Sequence, residues 1–234
     1  MKANQRTVVV TGAAGRLGCA VAAAFHAQGA RVVLLDRDAA RLEALFGSWK
    51  KTALSLATDL FDADRVGECI ALALERFGAI DALCNIAGGF EMGPLVHEID
   101  DAGWNRMFSL NCRTLINASR AVVPHMIERG KGAIVNVGST AALRGQPGMS
   151  AYGASKAVVM RLTESMSAEL MSRGINVNCV LPSTLDTPEN RAAMPKADPA
   201  KWVAPDDLAQ IIAFLCSPAA RPIHGAALPV TAGV

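Results

Sequence analysis

Val135-Asn136-Val137-Gly138-Ser139 and, beyond a loop rich in glycine and proline, Tyr152-Gly153-Ala154-Ser155-Lys156 form the stretch around which the rest of the chain is arranged. Residues 135–137 read as a short buried strand, and the apolar periodicity from 151 to about 173 reads as a helix. Ser139 therefore falls at the C-terminal end of a strand. Tyr152 and Lys156 lie four residues apart, one turn along one helix face, and that face can meet the strand end.

The pairing has a chemical meaning. A phenol with a pKa near ~10 is a poor base at neutral pH, and an ammonium one turn away favours the phenolate. Ser139, thirteen positions before Tyr152, can hold the same substrate oxygen by a hydrogen bond. A carbonyl so held is ready to accept a hydride. In the plainer reading, Tyr152 and Lys156 are surface positions and Ser139 a cap or turn residue. Tyr152 is the only tyrosine in the chain, and strand, serine and helix follow in the order the chemistry needs, which favours the functional reading.

Outward from this stretch, short apolar runs alternate with helical patterns. Strands are expected at residues 7–10, 31–35, 54–57, 82–84, 134–137, 175–180 and, more weakly patterned, 226–230; helices at about 17–28, 39–46, 63–77, 102–128, 151–173 and 206–215. This alternation predicts right-handed βαβ crossovers and a parallel sheet covered on both faces. The first turn, Thr11-Gly12-Ala13-Ala14-Gly15-Arg16-Leu17-Gly18, lies between a strand and a helix, where glycines let the backbone approach a pyrophosphate at a helix N-terminus. Asp36 ends the second strand eighteen residues after Gly18, near the ~20 expected of the carboxylate that binds the adenosine ribose. Turn and carboxylate together favour a dinucleotide over a bare strand-to-helix connection.

These motifs resemble the short-chain dehydrogenase/reductase family, and the resemblance extends over nearly the whole chain. It implies one doubly wound (Rossmann) α/β domain spanning residues 1–234, with a seven-stranded parallel sheet in the order 3-2-1-4-5-6-7. The glycine spacing departs from the family's Thr-Gly-x-x-x-Gly-x-Gly, because Gly15 comes one place early and Arg16 takes the middle glycine position. That spacing is similar to the extended relatives, many of them epimerases or dehydratases. Asp59-Leu60 looks like the adenine contact, with a turn role as the alternative for Asp59, and Asn85-Ile86-Ala87-Gly88 resembles the Asn-Asn-Ala-Gly signature. Asn111 matches the fourth catalytic residue, which by resemblance organises a water linking Lys156 to solvent. The segment from Pro182 looks like Pro-Gly-x-x-x-Thr, with Ser183 for glycine, and the resemblance places Thr187, with Thr184 as its neighbour, against the nicotinamide carboxamide.

Residues 189–198, with Trp202 behind them, resemble dihydropteridine reductases of the same family. Prolines 188, 195, 199 and 205 predict a substrate lid at about 183–205 with little long helix, lined or anchored by Met194 and Trp202.

Composition sets the outer limits. The chain has 234 residues, 51% hydrophobic, which suits one large core, and a formal charge of +2, which points to neither nucleic acid nor an anionic membrane as partner. Lys2 and Arg6 before an apolar run imitate a signal peptide, but Gly12, Gly15 and Arg16 break the run, and no stretch reaches the ~18 apolar residues of a membrane span. Six scattered cysteines without a Cys-x-x-Cys pair read as reduced thiols of a cytoplasmic protein. His26, His97, His125 and His224 share no metal-ligand spacing, and no Gly-x-Ser-x-Gly elbow surrounds Ser139, so neither a metal site nor a hydrolase is expected.

The resemblance thus implies an oxidoreductase moving a hydride between NAD, with NADP possible through Arg16 and Arg37, and a small carbonyl or secondary alcohol. Tyr152 is the acid or base. Lys156 lowers its pKa and holds the ribose, Ser139 polarises the carbonyl and Asn111 supports the relay. A pterin reductase and an NAD-dependent epimerase or dehydratase are the alternatives. Family resemblance also implies a homotetramer built through the long helices and the last strands, where the apolar tail 225–234 would otherwise face water.

Overall fold

A computed structural model describes residues 6–232. Lys2 of the basic start and the last two residues of the apolar tail lie outside the described residues. Seven strands, β1 (Thr7–Thr11), β2 (Arg31–Asp36), β3 (Ala53–Ala57), β4 (Ala82–Asn85), β5 (Gly132–Val137), β6 (Ile175–Pro182) and β7 (Ala227–Val230), form one parallel sheet in the order β3-β2-β1-β4-β5-β6-β7. The expected order is the observed one.

The side-chain period of two divides the sheet between two cores. Val8, Val10, Val32 and Leu34 face one layer, where α1 (Arg16–Ala27), α2 (Ala39–Phe46) and α8 (Pro205–Leu215) bury Val21, Phe25, Leu42, Leu208 and Ile212. Val9, Val33 and Leu83 face the other, where α3 (Ala63–Phe77) and α5 (Thr114–Arg129) bury Val66, Ile70, Ala118, Val122 and Met126. α6 (Ser150–Leu170) closes that second layer, its Val159 buried with Cys179 and Leu181 of β6. Five of the six cysteines are buried, and all six are free thiols.

Helix starts follow local chemistry. Asp38, Asp62 and Asp100 each accept a backbone N–H from the first turn of α2, α3 and α4 (Asp101–Phe108). α1 starts without a side-chain cap, behind Gly15, which leaves its first amides open to the cleft described below.

The structure corrects the sequence reading in one element. The single helix expected over 102–128 is α4 and α5 joined by a π-helical turn, Ser109–Arg113. Asn111 sits inside that turn, and its side chain finds partners outside the helix. The proline-punctuated segment 183–205 has little long helix: α7 (Pro188–Ala193) is six residues long, and a single bridge joins Leu185 to Val203.

Candidate active site

A cleft of about 520 Å³ runs along the C-terminal ends of the central strands. Its middle is the glycine turn. Gly12 has φ +63, and a Cβ there would lie 2.9 Å from the Ala87 Cα; at Gly18 a Cβ would lie 2.1 Å from the Gly12 carbonyl oxygen. Only glycine lets these backbones approach so closely, and the free amides of α1 then open onto the cleft.

At one end of the cleft the Asp36 carboxylate is held by two backbone N–H groups, Ala14 donating at 3.0 Å and Asp38 at 3.2 Å. Arg37, Asp59 and Leu60 line this end, as do Arg41, Thr58 and Phe61, which the motifs did not mark. Asp59 is a turn residue as well, accepting the Phe61 N–H at 2.9 Å. Toward the other end lie Ala87, Gly88, Leu110 and Leu185.

Four of the residues marked by the motifs make protein contacts beyond the lining of this cleft. Asn85 turns into the sheet, donating to Asn136 Oδ1 at 2.9 Å, because its position in β4 aims its side chain along the buried layer. Pro182 ends β6, its carbonyl accepting from Thr140 at 3.4 Å. The Thr184 carbonyl accepts the Val203 N–H at 2.9 Å. The Thr187 hydroxyl caps α7 by accepting the Asn190 N–H at 3.2 Å. Arg16 lines the cleft but turns its guanidinium to Glu189 in the first turn of α7, at 2.8 Å and 3.1 Å, and this pairing holds the Glu189 carboxyl down at about 2.

At the end of β5 the catalytic candidates converge. Ser139 caps the turn Thr140–Ala142 by accepting the Ala141 N–H at 3.2 Å, which leaves its own proton free to donate. The cap reading holds, and it leaves the hydroxyl proton available. Tyr152 and Lys156 stand on the first two turns of α6, and Lys156 Nζ donates to the Val137 carbonyl at 2.8 Å, 6.0 Å from the Tyr152 ring centroid. Burial holds the Lys156 ammonium down at about 8, with Cys179 and Cys112 nearby pulling the other way. Burial pushes the Tyr152 phenol up, and a hydrogen bond with Ser139 partly offsets that. In the protein as it stands the Lys156 ammonium engages a strand carbonyl, and desolvation is the largest effect on the phenol.

Asn111 is also more tightly engaged than its relay role implies. Its Oδ1 accepts the Gly89 N–H at 3.0 Å, while Nδ2 donates to the Gly89 carbonyl at 3.1 Å and to Ser155 Oγ at 3.0 Å. Both amide protons are in use, and one lone pair of Oδ1 is left. Ser155 Oγ in turn donates to the Tyr152 carbonyl at 2.7 Å, linking the π turn to the start of α6. Nothing in the local sequence marks Ser155, because its partner lies 44 residues away.

Residues 6–198 match the family model for short chain dehydrogenases. The chain is 34% identical over 248 residues to 2-(S)-hydroxypropyl-CoM dehydrogenase 3 of Xanthobacter autotrophicus, covering 99% of this chain and 97% of that one. This chain belongs to the short-chain dehydrogenase family. It is accordingly an oxidoreductase that uses a nicotinamide cofactor on a carbonyl or alcohol. Cis-4-hydroxycyclohexanecarboxylate dehydrogenase of Sinomonas cyclohexanicum, another member, is 37% identical over 242 residues, with 98% and 96% of the two chains covered. Among solved structures, the 3-ketoacyl-(acyl-carrier-protein) reductase of Brucella melitensis complexed with NADH superimposes with a TM-score of 0.87 at 32% identity, over 97% of each chain.

Proposed function

We propose that Asn111, Ser139, Tyr152 and Lys156 are the working residues of this oxidoreductase and that its substrate is a small to medium, largely apolar ketone or secondary alcohol. The observation that carries the reading is the meeting of Ser139 and Tyr152 over the buried Lys156 at the end of β5, beside the cleft. Ser139 and Tyr152 hold the substrate oxygen between them, and the phenol gives up or takes the proton. When bound, the nicotinamide supplies or accepts the hydride. Lys156 anchors the cofactor ribose, and Asn111 fixes the loop and helix that frame the phenol. Much of the rate then comes from holding both reactants in line. The apolar substrate class is supported by Phe90, whose ring meets Tyr152, and by Met92, Leu95, Val96, Leu143 and Met194, exposed on the segments that follow β4 and β5 and on the lid.

The cleft fits a dinucleotide, since only glycines permit the backbone approach at Gly12 and Gly18. Gly15, Leu17 and the amides of α1 serve the pyrophosphate, and Asp36 serves the adenosine ribose. Arg37, Asp59 and Leu60 frame the adenine, while Ala87 and Gly88 line the path to the nicotinamide. Asp36 and Asp38 oppose a 2′-phosphate and favour NAD, whereas Arg37 and Arg41 leave NADP accessible. Residues 183–205 act as the lid, with Pro182, Thr184 and Thr187 at its hinge toward the nicotinamide end. The protein works in the cytoplasm as a homotetramer.

Tyr152→Phe tests the reading. It is expected to lower kcat by at least ~100-fold while cofactor binding, followed by fluorescence, changes little. A phenylalanine variant with full activity would sink it. Reduction of a quinonoid dihydropterin that survives Ser139→Ala, with no ketone turned over by the wild type, would favour the pterin alternative. Turnover without net NADH consumption would favour an epimerase or dehydratase.

A further inference from the structure

The loop that follows β4 is tied down at two points. Asn111 grips Gly89 by both of its backbone groups, at 3.0 Å and 3.1 Å. Four residues on, the Gly93 N–H donates to the Gly148 carbonyl at 2.8 Å, joining the loop to the segment that leads into α6. Between these ties Phe90 sets its ring against Tyr152, with centroids 4.9 Å apart and planes at 88°, while 56% of the residue stays exposed. Edge-to-face pairing is a favoured arrangement of two aromatic rings, so the contact holds Phe90 in place without hiding it.

We propose that Phe90 is a specificity-determining residue of the active site, the fixed apolar wall that receives the substrate's apolar substituent beside the Tyr152 phenol and shields that phenol from water. The inference rests on Tyr152 as the acid or base, proposed above. A side chain on a free loop could move aside for any substrate; this one is pinned one residue after the Asn111 grip. Substrates with an apolar group on the Phe90 side gain contact area in the complex. Small ones leave that ring partly wet.

Charged groups around the phenol are otherwise engaged. Lys156 lies near its ring and bonds Val137. A cavity of about 250 Å³ next to Tyr152 holds Glu91 and Arg106, paired at 2.6 Å and 2.8 Å, together with Glu98, which accepts the Leu95 N–H, and Asp100, which caps α4. Replacing Phe90 alters none of these pairs, so its effect on the phenol is one of solvation.

Because Tyr152 is the only tyrosine in the chain, an ultraviolet difference titration of tyrosinate reads this phenol alone, with neither substrate nor cofactor present. In Phe90→Ala the midpoint is expected to fall, because water reaches a phenol that burial had pushed up. Phe90→Leu, which keeps an apolar wall, stays nearer the wild type, and circular dichroism over the same range confirms folding. In steady-state assays, kcat/KM for acetophenone relative to 2-butanone is expected to drop on the order of 10-fold in Phe90→Ala. An unchanged midpoint, or an unchanged ratio between the two ketones, overturns the assignment. Should the wild type reduce neither ketone, the titration alone decides this inference, and the failure falls on the proposed substrate class.

Discussion

Lys156 is a cation kept where a cation is costly. It is 5% exposed, and burial holds its pKa at about 8, below the ordinary 10.5, so between those values the unfolded chain binds more protons than the folded one. The residue therefore opposes folding in full below about pH 8, and the opposition fades as pH rises toward the ordinary lysine value. Lys156→Met is expected to abolish turnover yet stabilise the cofactor-free protein near pH ~7, by a net on the order of 1 kcal/mol once the lost Val137 bond is set against it. The gain should shrink toward pH ~10; calorimetry at both values checks it, and a variant less stable at both would refute it. Asp36 makes the complementary case, because its two bonds to Ala14 and Asp38 aim its carboxylate into the cleft. Asp36→Ala is expected to lower kcat/KM for NAD by roughly 10-fold or more and to shift preference toward NADP, as Arg37 and Arg41 remain. A wild type that already prefers NADP would show that the arginines dominate.

Among the elements, the π turn has the clearest consequence. π turns are found mostly as single turns within α-helices, often at functional sites, and here the turn carries Asn111 to Gly89 and Ser155 at once. Asn111→Ala removes three hydrogen bonds, one buried and two part-buried, and leaves the Gly89 backbone groups short of partners, so a loss of about 1–3 kcal/mol in stability is expected together with a lower kcat. Denaturant melts and kinetics of the same variant measure both; a variant altered in neither would remove the turn from the mechanism. The proposed lid has its own tie, the exposed Arg16–Glu189 pair that joins α7 to the glycine turn. Glu189→Gln is expected to speed NADH release by about two- to five-fold, and added salt should do the same to the wild type but not to the variant. Stopped-flow displacement reads both rates.

At the scale of the whole molecule, the proposed tetramer accounts for apolar side chains that one chain leaves in water. Leu228 on β7 is 39% exposed, and Trp104, stacked on Phe108 at 4.6 Å, is 41% exposed on α4. These lie on the last strand and on the long helical segment through which assembly is expected. Leu228→Glu and Trp104→Glu should each reduce the tetramer to a smaller species by light scattering at micromolar concentration, with the fold retained by circular dichroism. A wild type that is already monomeric would remove the proposal.

The sequence by itself determined the doubly wound sheet, its strand order by family resemblance, the glycine turn with Asp36, and the grouping of Ser139, Tyr152 and Lys156. Apart from the strand order, each is written in a short-range signal: alternation of apolar runs, a spacing of four on a helix, glycines where a Cβ would strike the Gly12 carbonyl or the Ala87 backbone. Tertiary structure alone decided how those residues are used. Arg16 departs from the family spacing, and its partner Glu189 lies 173 residues away, brought near by the crossovers of the whole sheet. Asn111 matches the family's catalytic asparagine by resemblance, but its hold on Gly89 and Ser155 exists only once they are folded against it, and Phe90 reads as a loop residue until it meets Tyr152. The protonation state of Lys156 belongs to this second group, because desolvation is a property of the packed interior and no local pattern of residues encodes it.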